Sequence, residues 1–461
     1  MEQVMYWMDL INSWVWGAPL IILITGVGLY LTIRLRGLQF RRLWYAHKLA
    51  FVKQEDKGGA GDISHFQALM TALAGTIGIG SITGVATAIA AGGIGAIFWM
   101  WVFALFGMAT KYAEAILAIK FRVIDKHGEM CGGPMYYLEK GLKSKFLAVL
   151  FAAFAAITAL GTGNMVQSNS VAEAVKMLTP NITPIWVGVL LVIGTALPLI
   201  GGIKSISRVA SFVIPAMAIF YLTACFMVLG MNIAVIPKTL MLIVKAAFTG
   251  QAAVGGFIGS TLMLAVQYGV SRGIFSSEAG LGTSSIAAAA AKTDSPGRQA
   301  LVSMSTVFIT TGIVCTLTGL VIATTGVLGM TGADGALLNG SALAIKAFDS
   351  AIPYGGVLVA IAIIPFAYTT ILGWAYYGEK AIEYLFGLKS TRWYRALYII
   401  AVFFGAILNL KLVWGFANIM NGLMAFPNLI GLCFLAGIVA SETELFEKLL
   451  NKERDKKKLA A

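Results

Sequence analysis

The feature that most constrains this chain is a series of long runs free of Asp, Glu, Lys and Arg. They cover residues 10–33, 63–110, 146–172, 177–203, 209–237, 246–271 (continuing weakly to 291), 299–333, 350–378, 396–410 and 412–441. About twenty apolar residues cross a bilayer, so each run is one span and 63–110 is two. The pair Gly92-Gly93 marks the turn between those two, giving eleven spans. The run 396–410 is short, but Trp393 and Tyr394 extend it at the interface. Only 12% of the 461 residues are charged and 58% are hydrophobic, whereas soluble domains carry about 25% charged residues. A chain of this length cannot enclose such a core in water. The expected fold class is therefore an all-α polytopic membrane protein.

Charge placement orients it. With the N-terminus outside, 27 of the 34 Lys and Arg residues fall in cytoplasmic segments and five outside, while Lys111 and Arg272 lie at membrane depth. Positive residues accumulate on the cytoplasmic side, so the expectation is a cell (plasma or inner) membrane protein with a cytoplasmic C-terminus. The start MEQVMYWMDL has no basic segment and cleavage site, and reads as an uncleaved first span. The net charge of +13 sits in loops and is not interleaved with exposed aromatics, so nucleic acid is not an expected partner. No obligate protein partner is evident. The basic tail after 441 reads as a solvated helix or one touching anionic lipid.

Three scattered histidines and four separated cysteines form no metal, redox or catalytic constellation. The expectation is no enzyme and no organic cofactor. His65 reads as a polar helix start.

Two spans are interrupted by glycine. Residues 74–81 read AGTIGIGS and 269–282 read GVSRGIFSSEAGLG. Each interior glycine costs a helix about 1 kcal/mol, and non-helical backbone at membrane depth survives only in a buried or cavity-lining place. The two interruptions are five spans apart, so spans 2–6 and 7–11 read as inverted repeats that each begin with a broken helix. The expected organisation is one transporter domain: an extra span in 1–36, repeats in 64–237 and 246–441, and a tail of 442–461. Broken helices at the midplane point to a secondary-transporter site. Free N–H groups at half-helix starts suit a carboxylate, and free carbonyls at half-helix ends suit an ammonium or Na⁺.

Other spans offer oxygen. Thr369 and Thr370 lie midway along span 9, before Trp374, and read either as cation ligands or as hydroxyls bonded back to the preceding turn. Asn164, Gln167 and Ser168 share one face of span 4. They line a cavity or tie helices together, and the cavity is the favoured reading. Lys111 and Glu114, at i,i+3, read as a pair at the inner interface. Arg272 and Glu278 flank the span 7 interruption and are functional by default.

Gly92 to Glu114 reads GGIGAIFWMWVFALFGMATKYAE, which closely resembles the signature of the alanine or glycine:cation symporters, or sodium:alanine symporters. RGIFSSEAGLGT from Arg272 resembles that family's second hallmark, with Ser277 in place of its usual Asn. The resemblance covers essentially the whole chain. It implies a LeuT-type 5+5 fold within the amino acid–polyamine–organocation superfamily and sodium-driven uptake of a small neutral amino acid, glycine or alanine of either hand. A proton-coupled or exchange transporter of the same fold is the alternative. It implies a sodium site from the carbonyls of Ala74, Ile77 and Phe366 and the hydroxyls of Thr369 and Thr370. It also implies that Thr76, Ile79, Gly80, Gly273, Ile274, Phe275 and Ser276 hold the substrate backbone. Asn164, Gln167, Phe366 and Trp374 complete the expected pocket, whose bulky side chains favour a small substrate. The family pattern GTGN is here Gly78-Ile79-Gly80-Ser81. That change leaves a second sodium site without the Asn amide, and Ile79 narrows the pocket or alters its preference.

Overall fold

A computed structural model describes residues 2–52, 59–249, 262–293, 295–332, 335–408 and 410–459. The first elements are α1 (Glu2–Val15), α2 (Ala18–Arg34) and α3 (Leu38–Phe51). Span 2 is α4 (His65–Thr76) and α5 (Thr83–Gly92), and span 3 is α6 (Ala96–Lys120). A short hairpin, β1 (Val123–Ile124) and β2 (Met130–Cys131), and α7 (Pro134–Lys140) follow. Span 4 is α8 (Lys145–Leu160) and α9 (Val166–Leu178), joined by a π-helical turn, Gly161–Met165. Then come α10 (Pro184–Ile200), α11 (Gly202–Met231) and α12 (Ile236–Thr249). The second half holds α13 (Leu262–Ser277), α14 (Ser284–Ala289), α15 (Pro296–Val307) and α16 (Thr316–Thr324), the last two joined by π-helical Phe308–Cys315. It ends with α17 (Gly340–Ala351), α18 (Gly355–Phe386), α19 (Ser390–Ile407) and α20 (Leu410–Leu459).

Among the described residues, seven helices are long and apolar enough to cross a membrane, or eight with the bent pair α4–α5. The other three expected spans correspond to α10, α13 and α19, of 17, 16 and 18 described residues. The stretch 250–261, which the sequence assigns to span 7, lies outside the described residues. Large apolar side chains such as Ile22, Leu190, Phe212, Ile219 and Phe434 point outward. In water such a belt would aggregate; in hydrocarbon it is the expected surface.

The span 2 break follows from local sequence. Ser64 and Gln67 cap α4 reciprocally, Ser64 Oγ accepting from Gln67 N and Gln67 Oε1 from Ser64 N. The helix then runs into Gly75, Gly78 and Gly80 interleaved with β-branched Ile77, Ile79 and Ile82, all poor helix formers. It ends at Thr76, and α5 leaves at 64° to α4. Gly93, at φ +73°, makes the turn into α6.

The span 7 break lies later than the sequence led us to expect. Residues 273–277 are still helical. The chain leaves the helix at Glu278 (φ +57°), and Gly280 and Gly282 take φ +92° and +78°. Gly269 and Gly273 serve packing instead: a Cβ on them would stand 2.6 Å from Ala96 O and 2.7 Å from the Phe103 ring. They bring α13 against α6 as small residues do between membrane helices.

Contacts sort the spans into two groups. Helix α6 packs on α13 and α15, and α13 on α5; in the other group α18 packs on α8 and α9, and α10 on α19. Helix α4 crosses between the groups and touches α18. The tail continues α20 without a break, and its Glu442, Glu447 and Glu453 pair with Lys120, Arg42 and Arg298. The tail is therefore docked by its acidic residues along the end of the molecule that carries α3.

Candidate functional site

Where α4 ends, it abuts the middle of α18. Thr370 Oγ1 stands 2.9 Å from Ala74 O and 3.0 Å from Phe366 O. Thr369 Oγ1 stands 2.9 Å from Pro365 O and 3.2 Å from Phe366 O. Each hydroxyl has one proton to donate. Thr369 shares its proton between two carbonyls of the preceding turn, whereas Thr370 brings its hydroxyl to carbonyls of two different helices. Both threonines, Ala74 and Phe366 are buried. The hydroxyls bond back along α18, and Thr370 also reaches the α4 terminus. Ile77 is the first residue out of α4, and its N–H donates to Leu73 O.

The approach of α18 to the break is close. A Cβ on Gly78 would lie 2.5 Å from Thr370 Oγ1 and 3.2 Å from Gln167 Oε1. Gln167 donates through Nε2 to Thr162 O, and its buried Oε1 has no partner among the described residues. Gln167 therefore reaches the break. Asn164 Nδ2 donates to Tyr398 O at 2.7 Å, tying span 4 to α19, and its buried Oδ1 has no partner among the described residues. Ser168 bonds back to Asn164 O. Thr76 likewise turns its hydroxyl to Ala72 O. Ile79 and Gly80 lie fully buried in a 3₁₀ turn. The Phe275 ring covers Gly80, 2.8 Å from where its Cβ would be, and stacks on Trp414 at 5.7 Å. Trp374 Nε1 donates to Gly75 O, and its ring packs over Gly163. Ser276 bonds to Thr311 and to Gly273 O. Gly273, packed against Phe103, is thereby assigned to helix contact, and Ile274 is buried within α13.

Sequence reasoning missed what supports the second break. Lys111 and Glu114 do not sit at the inner interface; both are buried against span 7. Lys111 Nζ donates to Ser277 O, the last carbonyl of α13, at 2.7 Å. Glu114 Oε1 accepts from Gly280 N, Gly282 N and Asn428 Nδ2 at 2.8–3.0 Å. A cation at a helix end and a carboxylate at the following free amides match the dipoles there. The i,i+3 spacing on α6 was the visible signal; only the fold shows what the pair straddles. Glu278 bonds through Oε2 to Thr283, and its Oε1 stands 3.0 Å from a Cβ position on Gly75. It therefore reaches the first break from the second.

Above Phe275 lies a cavity of about 620 Å³, walled by Met5, Thr83, Glu173, Arg272, Ser341 and Trp414 among others. At the opposite end the chain is sealed. Arg122 donates to the carbonyls of Ala289, Ala291, Ala60 and Thr293. Asp62 accepts from Met130 N, and burial raises its carboxyl above the usual range. Lys380 Nζ lies among Glu383 (2.9 Å), Glu129 (3.1 Å), Cys131 Sγ (3.3 Å) and Asp125 (3.5 Å). Asp125, Cys131 and Glu383 bring their donor atoms within 4.8 Å of one another, and the Lys380 ammonium already supplies their counter-charge. Burial pushes the Cys131 thiol up to about 12, so it stays protonated.

Residues 1–460 match the sodium:alanine symporter family. The chain is also 52% identical over 447 residues to the sodium/alanine symporter AgcS of Methanococcus maripaludis, covering 96% of this chain and 97% of that one. The chain belongs to the sodium:alanine symporter family. It is a multi-pass membrane transporter and not an enzyme. Its fold is shared with MhsT in complex with L-phenylalanine, at TM-score 0.59 and 14% identity over 84% of this chain and 99% of that one. A Na⁺-coupled sialic acid symporter matches at TM-score 0.51 and 13% identity, over 93% and 86%. The two broken helices and the two packed groups of spans are thus those of a LeuT-type inverted-repeat transporter.

Proposed function

We propose that this chain carries a small neutral amino acid, alanine or glycine, into the cell together with Na⁺ by alternating access. The observation that carries this reading is the oxygen cluster of Ala74, Phe366, Thr369 and Thr370 at the end of α4. Its ligands are neutral and buried, which suits a monovalent cation that must also leave. Ile77 contributes the fifth oxygen. The amino acid lies at Thr76, Ile79 and Gly80, beneath Phe275 and beside Gln167 and Trp374. Substrate carboxylate and Na⁺ then neutralise each other where the membrane is least polar. The Phe275 ring lies 2.8 Å from a Cβ position on Gly80, so the pocket is narrow there, which supports a small substrate side chain. The 52% identity to a protein named a sodium/alanine symporter supports the same substrate and ion.

In this reading the repeats run from 64 to 237 and from 246 to 441. The N-terminus faces outside and the tail the cytoplasm of the plasma or inner membrane. The 620 Å³ cavity is then the outer vestibule, and the Arg122 and Lys380 clusters close the inner end. A second reading, proton coupling or exchange, is favoured by the Glu278 carboxyl lying beside Gly75.

Uptake of labelled alanine into liposomes separates the two. An inward Na⁺ gradient is expected to drive uptake, and equal K⁺ or a pH gradient alone to fail. Thr370→Ala is expected to raise the Na⁺ concentration for half-maximal uptake about tenfold or more, with Thr370→Ser close to the parent. Uptake driven equally by a pH gradient, and lost in Glu278→Gln, would establish the second reading instead.

A further inference from the structure

Among the described residues, Arg272 is a cation without a counter-ion. It sits one turn before Phe275 on α13, and among the described residues nothing makes an ion pair or hydrogen bond with its guanidinium. Its Nε is buried with no partner. The group is held by faces: Cζ lies 5.8 Å from the Phe275 ring and 5.9 Å from the Trp414 ring. Such rings position a guanidinium and leave its in-plane N–H donors free. A guanidinium cannot shed its proton to escape this situation. At membrane depth an unpaired cation is tolerated where it faces a wet cavity, and Arg272 faces two, of about 620 and 260 Å³. Asn12 and Asn418 border both cavities as well, and Asn12 Oδ1 is likewise buried without a partner. One carboxylate, Glu173, stands on the wall of the larger cavity.

An unmet fork of donors, an unmet amide oxygen and a carboxylate thus surround one space. That pattern complements a zwitterion: carboxylate on Arg272, ammonium toward Asn12 and Glu173. We infer that Arg272 forms an outer binding site that captures the carboxylate of the amino acid in the vestibule, before Phe275 admits it to the central site. Arg272 serves two purposes there. It draws anionic groups in from water, and through the stack with Phe275 and Trp414 it links their arrival to the ring that covers Gly80. Only the identity of the ligand rests on the symport reading; the anion site itself does not.

The test uses a cysteine reporter on the vestibule wall, Thr87→Cys, in a Cys433→Ser background, since the other three cysteines are buried. Anionic and cationic methanethiosulfonates are applied in Na⁺-free buffer, with and without alanine, alaninamide or chloride. The anionic reagent is expected to react about tenfold faster than after Arg272→Gln. Millimolar alanine is expected to slow the reaction, alaninamide not to, and Arg272→Gln to abolish the protection. Arg272→Lys keeps the charge but not the fork, so it should retain the fast anionic reaction and lose most of the protection. Protection that survives Thr370→Ala separates this site from the sodium-dependent one. Unchanged anionic rates in Arg272→Gln would overturn the inference. So would alanine protection that persists there, equal protection by alaninamide, or protection by chloride alone. Absence of Na⁺-driven uptake in the parent would remove the symport reading and leave these measurements interpretable.

Discussion

Single contacts set the site. Gly78 is one example, because a Cβ there would stand 2.5 Å from Thr370 Oγ1, between the α4 terminus and α18. A methyl group there must push α18 away or rotate Thr370, an overpacking cost of about 1–3 kcal/mol. Gly78→Ala is therefore expected to yield folded protein whose Na⁺-driven uptake is reduced about tenfold or more. Size-exclusion profiles would confirm folding, and uptake at the parental level would show that the close approach is unimportant. Trp374 and Phe275 act in the same way at larger size. One holds the α4 terminus through Gly75 O, and the other covers Gly80. Neither offers a charge, so in the proposed site they would act on specificity through volume.

The half-helices are stabilised by partners on other elements. Lys111 and Glu114, on one face of α6, hold the two ends of the span 7 break, and Asn428 on α20 closes the arrangement through Gly280 O. Removing Glu114 leaves three donors buried without an acceptor, and each such group costs about 1–3 kcal/mol. Glu114→Ala is expected to lower the unfolding temperature in detergent far more than Glu114→Gln, which keeps one acceptor oxygen. Equal thermal curves would mean that water replaces the carboxylate. Helix α13 shows the opposite use of glycine. Gly269 and Gly273 permit contact with α6 without breaking the helix, because that packing keeps the backbone hydrogen bonds satisfied inside the membrane.

At the scale of the molecule, a cavity lies at one end and a closed polar network at the other, and the proposed transport path runs between them. Arg122 ties the segment before span 2 to the segment after span 7 through four carbonyls, so these ends of both broken spans are clamped together. Arg122→Ala should open that end. A Ser285→Cys reporter, buried in α14 behind the clamp, is then expected to react about tenfold faster with a bulky thiol reagent from the cytoplasmic side. An unchanged rate would assign closure to Lys380 and its carboxylates. The docked tail contributes less through its ion pairs. Its three pairs are partly exposed on at least one side, and such pairs give about 0–1 kcal/mol each. Truncation after Ser441 also removes Phe446, buried against Gly297, so it is expected to keep Na⁺-driven uptake and lower thermal stability clearly; loss of uptake in folded protein would give the tail a functional role.

Hydrophobic runs, their charged gaps and the glycines of 75–80 were enough to reveal a membrane transporter with a broken second span. These signals are local, since bilayer thickness and helix propensity act on each segment by itself. The hallmark around Arg272 was equally legible as a motif. What local signals could not do was assign each glycine. Gly273 and Gly280 look alike in the chain, yet one packs on Phe103 and the other turns at φ +92°. Nor could spacing show that Lys111 and Glu114 face span 7, that Asn164 holds α19, or that Arg272 lacks a counter-ion among the described residues. Those roles depend on which element lies opposite. A side chain's energy inside a membrane is decided by the group it meets there, and residues more than a hundred positions apart meet only once the tertiary structure has formed.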